Sequence, residues 1–143
     1  MASLIAAADH AGVQLKDALV AHLREQGHDV EDLGTHGTES VDYPDFAHRV
    51  AERIAGSEGQ LGLLVCGSGI GMAMSANRHP GVRAVVCSEP YSARMSREHN
   101  DANVLCVGQR VVGVGLAIAI VEAFMAAEFT GGRHVRRVAK IDV

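Results

Sequence analysis

The sequence predicts an α/β fold: a five-stranded parallel sheet with helices on both faces, in one domain. Three observations carry that expectation. Strand-like and helix-like patterns alternate from end to end. Runs such as Leu61 to Val65 are apolar throughout, as a strand buried on both faces must be. The chain has 143 residues, 48% of them hydrophobic, which is enough for one sizeable core, and no repeat, low-complexity tract or linker divides it.

Leu4 to Ala8 reads as the first strand, followed by a helix from about Gly12 to Gln26 with Leu15, Leu19 and Leu23 on one face. Gly27 ends that helix, and His28 to Leu33 reads as the second strand. A polar loop holding Gly34, Thr35, Gly37, Thr38 and Ser40 leads to Tyr43-Pro44, which opens a helix to about Ala55. Leu61 to Val65 is the third strand, with a helix from Ile70 to about Asn77. Val82 to Cys87 is the fourth strand and Ser92 to about His99 the next helix. Val104 to Val107 makes the fifth strand, and Val114 to Phe129 a long, mostly apolar helix. The tail from Arg133 to Val143 is basic at first and has the composition for a terminal helix.

Composition excludes several functions. A formal charge of -4 with 3% aromatic residues lacks the basic surface and stacking rings of a nucleic-acid binder. The apolar stretch Val111 to Val121 is broken by Gly113 and Gly115 and stopped by Glu122, so it reads as a core or subunit-interface helix and not a membrane span. Ser3 to Ala8 is too short for a secretory signal and runs straight into Asp9-His10. Cys66, Cys87 and Cys106 are odd in number and far apart, without disulfide or zinc-ligand spacing, which points to a reducing cytoplasm and to no metal.

The most informative segment is Leu61-Gly-Leu-Leu-Val-Cys66-Gly67-Ser68-Gly69-Ile70-Gly71-Met72. A strand ends on a cysteine, and a glycine-rich turn opens a helix. Glycines let the backbone approach a ligand and aim its N–H groups inward. A sulfur at the head of a helix lies where the thiolate is favoured. A cysteine ending a strand is by position alone most often a small buried hydrophobe; the following Gly-Ser-Gly-Ile-Gly reverses that reading for Cys66. Cys87 and Cys106 lack such a context and read as core. The turn is no dinucleotide fingerprint, because Met72 stands where the third glycine belongs, and no P-loop, because Gly-Lys-Ser/Thr is missing. Met72 also stands where a cysteine phosphatase needs its arginine. What remains is a cradle of backbone N–H groups helped by the Ser68 hydroxyl, suited to negative charge developing on oxygen.

Other residues stay open between two readings. Asp9-His10, on the same sheet edge as Cys66, either line the crevice or simply cap the next helix. His99-Asn100-Asp101 is either a solvated helix end or brings His99 to the crevice as an acid/base group. Gly131-Gly132-Arg133-His134-Val135-Arg136-Arg137 is a solvated basic tail or a phosphate clamp. Helical spacing puts Arg133 and Arg137 on one face. His22, His28, His36, His48 and His79 have no motif around them and read as surface residues.

Taken in order, Ala8-Asp9-His10, Asp42-Tyr43-Pro44, Cys66-Gly67-Ser68-Gly69-Ile70-Gly71, Gly81-Val82-Arg83-Ala84, Cys87-Ser88-Glu89-Pro90-Tyr91-Ser92-Ala93, His99-Asn100-Asp101-Ala102-Asn103-Val104, Gly108-Gln109-Arg110-Val111-Val112-Gly113 and Gly131-Gly132-Arg133-His134 resemble the type B ribose-5-phosphate isomerases. That family also includes galactose-6-phosphate isomerase subunits. The resemblance spans nearly the whole chain. It implies a Rossmann-like three-layer fold without metal or nucleotide cofactor, and isomerisation of D-ribose 5-phosphate and D-ribulose 5-phosphate in the pentose phosphate pathway. By resemblance Cys66 is the base and the turn Gly67, Ser68, Gly69, Ile70 and Gly71 stabilises the enediolate. His99 opens the sugar ring with Asn100 nearby, Asp9 and His10 contact the sugar, Tyr43 lines the site, and Arg110, Arg133 and Arg137 hold the phosphate. The resemblance further implies a homodimer or homotetramer in which His99, Asn100 and Arg110 enter the site from a partner subunit. Two alternatives are an isomerase of a six-carbon sugar phosphate (allose or galactose 6-phosphate) and a non-catalytic sugar-phosphate binding module. Retention of Cys66, His99 and Arg133 in one chain favours the pentose-phosphate enzyme.

Overall fold

The computed structural model describes residues 2–143. The described residues form β1 (Ser3–Ala8), α1 (Val13–Glu25), β2 (Asp29–Asp32), α2 (Tyr43–Ala55), β3 (Leu61–Cys66), α3 (Ile70–Ala76), β4 (Ala84–Val86), α4 (Pro90–Glu98), β5 (Val104–Gly108), α5 (Val114–Ala126) and α6 (Arg133–Ile141). Every strand pair is parallel, and the order across the sheet is β2-β1-β3-β5-β4. This is the expected three-layer α/β sheet.

Successive strand residues point to opposite faces, so the apolar runs feed two cores. Leu4, Ala6, Leu63, Val65, Leu105 and Val107 meet Leu15, Leu19 and Leu23 of α1, Ala93 of α4, and Ala117, Ile120 and Phe124 of α5. Ile5, Ala7, Leu64, Cys66, Val104 and Cys106 meet Phe46, Val50 and Ile54 of α2 and Met72 and Ala76 of α3. Each fully buried large side chain contributes about 1.5–3 kcal/mol. The helix α6 carries one buried residue, Val138, and leaves Val135 and Ile141 exposed.

Differences from the sequence reading lie at element ends. Strand β4 is only Ala84–Val86, because it is an edge strand paired on one side with β5. Ahead of it, the Val82 N–H turns back to the His79 carbonyl at 3.2 Å. Helix α4 starts early, at Pro90, because the Glu89 carboxylate accepts the Ser92 N–H at 3.0 Å and Pro90 occupies the first turn. The expectation that five histidines are surface residues holds for His36 alone. His28 Nδ1 accepts the Ala2 N–H at 3.1 Å, His22 pairs with Glu122 at 3.0 Å, and His48 Nδ1 meets His79 Nε2 at 2.7 Å, all four rings half-buried. Their partners are distant in sequence, so no local pattern marks them.

Topology fixes where chemistry can occur. Strands β1 and β3 are neighbours, and the chain leaves them toward opposite sides of the sheet, which opens a crevice at their carboxyl ends. The register pairs Ala8 with Val65, so Asp9 and Cys66 emerge side by side. Helices after parallel strands run back to the opposite, amino edge. The carboxyl ends of α4 and α5 therefore lie a strand length away, about 16–20 Å for five or six residues.

Candidate active site

The crevice beyond β1 and β3 is an open cleft of about 590 Å³ lined by Asp9, His10, Ala11, Tyr43, Cys66, Gly67, Ser68, Ile70, Gly71, Met74, Arg110 and Val111. Cys66 is the last residue of β3 and is nearly covered. The backbone N–H of Gly69 donates to its Sγ at 3.1 Å. That geometry depends on Gly69, whose φ of +80° few other residues adopt. The Ile70 N–H donates to Ser68 Oγ at 3.3 Å, while the Gly71 N–H lies in the first turn of α3, where no intrahelical acceptor exists. Gly71 is required for another reason. A Cβ there would collide with the Tyr43 ring, so the missing side chain lets the tyrosine form one wall of the cleft.

Asp9 lines the crevice and does not cap α1, whose N-cap is Gly12 with no side-chain bond. Its carboxylate, nearly buried, accepts the Ala11 N–H at 2.9 Å, shaping the turn into α1. His10 Nδ1 accepts the Val41 N–H at 3.1 Å, which leaves Nε2 available to a ligand and ties the loop ahead of Tyr43 to the site. Behind this wall lies Lys16, completely buried, with Nζ 2.8 Å from both oxygens of Asp32. Asp32 also accepts the Gly34 N–H at 2.9 Å. Gly34 and Thr35 exchange backbone hydrogen bonds with Ala8 at 2.7 and 2.8 Å. This buried ion pair thus braces the end of β1 from which Asp9 and His10 project.

Arg110 corrects one expectation. The resemblance implies that it comes from a partner subunit, yet its guanidinium lies against Gly67 of its own chain: a Cβ on Gly67 would be 3.4 Å from Nη1. The reason is local. The N–H groups of Gln109 and Arg110 bond to the carbonyls of Cys66 and Gly67 at 2.9 and 3.0 Å, so the loop after β5 is stitched onto the turn after β3. Gln109 Oε1 meanwhile accepts the Leu15 N–H at 3.0 Å in the first turn of α1.

The remaining candidates form a separate group. His99 ends α4, and its ring stacks on His134 of α6 with centroids 4.4 Å apart and planes 10° apart. Arg133 and Arg137 stand on the same helix as His134. Partial burial, His99 and the two arginines push the His134 imidazole below its ordinary pKa. Asn100 is exposed beside it. Both helices end at or start from the amino edge of the sheet, away from Cys66. Within one chain the structure brings Asp9, His10, Tyr43, Cys66, Gly67, Ser68, Ile70, Gly71 and Arg110 together, with Gly69 shaping the turn. It does not bring His99, Asn100, Arg133 or Arg137 to them.

The family model described as Ribose/Galactose Isomerase matches residues 4–141. The chain belongs to the ribose/galactose isomerase family. It is 53% identical over 133 residues to ribose-5-phosphate isomerase B of Escherichia coli K12, covering 93% of this chain and 89% of that one. Ribose-5-phosphate isomerase B of Clostridium thermocellum superimposes with a TM-score of 0.96 at 51% identity, covering 98% of this chain and 95% of that one. The Mycoplasma genitalium enzyme, solved with bound ribulose-5-phosphate, gives a TM-score of 0.94 at 41% identity, covering 97% and 93%.

Among ribose/galactose isomerase residues, sequence reasoning missed Met74 and Val111 on the cleft rim, Gln109 and Lys16 as braces, and His134 as the partner of His99. Gln109 and His134 did stand inside motifs whose neighbours had been singled out. Lys16 gave no signal, since a lysine beside Leu15 reads as a solvated neighbour of an apolar stripe. Among the described residues no group of three or more His, Cys, Asp or Glu side chains could hold a metal ion, and no helix is long and apolar enough to cross a membrane.

Proposed function

We propose that this chain is an aldose–ketose isomerase that interconverts D-ribose 5-phosphate and D-ribulose 5-phosphate in the pentose phosphate pathway of the cytoplasm. The observation that carries this reading is the Cys66 sulfur held in a glycine turn of N–H donors, in a cleft at the switch point of the sheet. The family relatives supply the substrate class: the E. coli protein is named for ribose 5-phosphate, and the M. genitalium enzyme is solved with ribulose-5-phosphate.

The chemistry follows from the residues. Once the sugar is open, the Cys66 thiolate takes the proton from C2, and the electron pair moves through the new C1–C2 double bond onto O1. Backbone N–H groups of the Gly67 to Gly71 turn and the Ser68 hydroxyl stabilise that oxyanion. Return of the proton to C1, with transfer of the O2 proton to O1, leaves the carbonyl at C2 and restores the thiolate. Asp9 and His10 orient the sugar hydroxyls, and Tyr43 closes one side.

His99 is the group that opens the furanose ring, with Asn100 beside it, and Arg133 and Arg137 hold the phosphate. Because these four lie a sheet length from Cys66 in their own chain, they serve the cleft of a second copy in a homodimer, or in a homotetramer of such dimers. Arg110 serves the cleft of its own chain. The exposed Ile70, Met74 and Val111 around the cleft are the apolar surface such a partner covers.

The test is conversion of ribose 5-phosphate by the purified protein without added metal or nucleotide, alongside Cys66→Ala. Turnover that falls at least 10³-fold in the variant supports the reading, on the scale of a lost general base. Turnover of allose 6-phosphate in preference to ribose 5-phosphate reassigns the substrate, and tight binding without turnover makes the protein a binding module.

A further inference from the structure

The mechanism proposed above uses His99 and leaves His134 without a task. Yet the two side chains are built to meet. Thr130 donates twice to the carbonyl of Glu98, the residue before His99, from its N–H at 3.0 Å and its Oγ1 at 2.9 Å. Gly131 and Gly132 follow with φ of +68° and +58°, so the chain reverses at once into α6. That sharp turn delivers His134, the second residue of α6, flat onto the His99 ring at 4.4 Å and 10°. The backbone of His99 is fixed by its N–H to the Met95 carbonyl at 2.8 Å, and the ring is fixed by the stack.

We propose that His134 is a positioning residue: its ring, clamped by the Thr130 to Gly132 turn, holds the plane in which His99 exchanges protons with the cyclic sugar phosphate. The inference rests on the reading of His99 as the ring-opening group. In that step the O1 hydroxyl gives up its proton, the C1–O4 bond breaks and O4 receives a proton, so the carbonyl forms at C1. Such transfers require an imidazole aimed at two oxygens of one rigid ring. Freedom about χ2 of His99 would spoil that aim without touching the chemistry at C2. Desolvation, His99 and the neighbouring Arg133 and Arg137 favour the neutral form of His134, and a neutral ring can lie against His99 whether His99 carries the proton or has given it up.

The experiment compares His134→Ala, His134→Phe and His99→Asn on two substrates. One is ribose 5-phosphate. The other is 4-deoxyribose 5-phosphate, which lacks the oxygen that closes the furanose ring and so needs no opening. For His134→Ala, kcat on ribose 5-phosphate falls roughly tenfold to a hundredfold, the scale of a misplaced catalytic group. Its KM stays within about twofold, its loss on the deoxy substrate is far smaller, and His134→Phe recovers most of the rate because a flat ring is what His99 needs. Equal losses on both substrates with a raised KM and no recovery in the Phe variant would make His134 a phosphate ligand and overturn the proposal. An unchanged rate in His134→Ala overturns it too. If His99→Asn itself opens and turns over ribose 5-phosphate normally, the reading of His99 fails and takes this inference with it; loss in His99→Asn beside a normal His134→Ala defeats the inference alone.

Discussion

Two inactive chains should make one active enzyme. Cys66→Ala removes the proposed base at the carboxyl edge of the sheet, and His99→Asn removes the proposed ring-opening group at the amino edge. Each variant alone should be dead on ribose 5-phosphate. If each site takes its base from one subunit and its acid from the other, a hybrid dimer has one site with both defects and one with neither. Two-fold symmetry makes the two interfaces equivalent, so random exchange at equal concentrations gives half hybrids and restores about a quarter of the wild-type activity per site. The structural premise is the separation, about 16–20 Å of sheet, that keeps His99 from Cys66 of its own chain. The assay is to mix the two purified variants, unfold and refold them together, and follow ketose formation over time against each variant refolded alone. Activity that stays at the single-variant level after mass spectrometry has verified hybrid formation would refute the argument. Both residues would then serve one chain, and the path of α4 would have been misjudged.

Four further outcomes follow from the same geometry. Iodoacetamide should add one group, at Cys66, with ribose 5-phosphate slowing the reaction, because burial and Glu89 push the Cys87 thiol up to about 11 and burial pushes that of Cys106 well above its ordinary value; peptide mass mapping reads the site. Gly71→Ala drives a methyl into the Tyr43 ring and should lower kcat/KM roughly tenfold by displacing that wall, measured against an unchanged circular dichroism spectrum. Arg137→Ala should raise KM while kcat stays within about twofold, the pattern of lost uniform phosphate binding, checked by steady-state kinetics. Lys16→Met strands the Asp32 carboxylate and should cost about 3 kcal/mol, or roughly 10 °C in Tm for a chain of this size, with Lys16→Met/Asp32→Leu recovering most of it in thermal melts.

What the sequence made legible was what local patterning encodes. Buried strands such as Leu61–Cys66 and β5 are apolar throughout, and the glycine turn after Cys66 carries its own reason, since Gly69 needs positive φ and Gly71 must admit a ring. The order β2-β1-β3-β5-β4 was not legible, because which strand sits at the edge is decided by pairings between distant segments. The same holds for Lys16, whose burial makes sense only once Asp32 stands against it, and for the His48–His79 pair. Arg110 is instructive in the other direction. It follows β5, whose carboxyl end is the crevice edge, so its place beside its own Gly67 could have been deduced from parallel topology alone.

That topology also explains why His99 and Cys66 are apart. In a parallel sheet every strand delivers its following loop to one edge and every helix returns to the other. Groups in loops after strands (Asp9, His10, the Cys66 turn, Arg110) therefore gather by construction. Groups at helix ends, such as His99, or after a returning helix, such as Arg133 and Arg137, gather at the far edge by the same construction. In this chain the cleft with Cys66 and the edge with His99, Arg133 and Arg137 stand apart, and its own fold does not set one onto the other. Two copies related by a two-fold axis can, because the axis that sets the edge of one against the cleft of the other does so twice. The cleft rim carries Ile70 at 56%, Met74 at 68% and Val111 at 58% exposure, apolar surface beside a polar site, which is where such a contact would be buried.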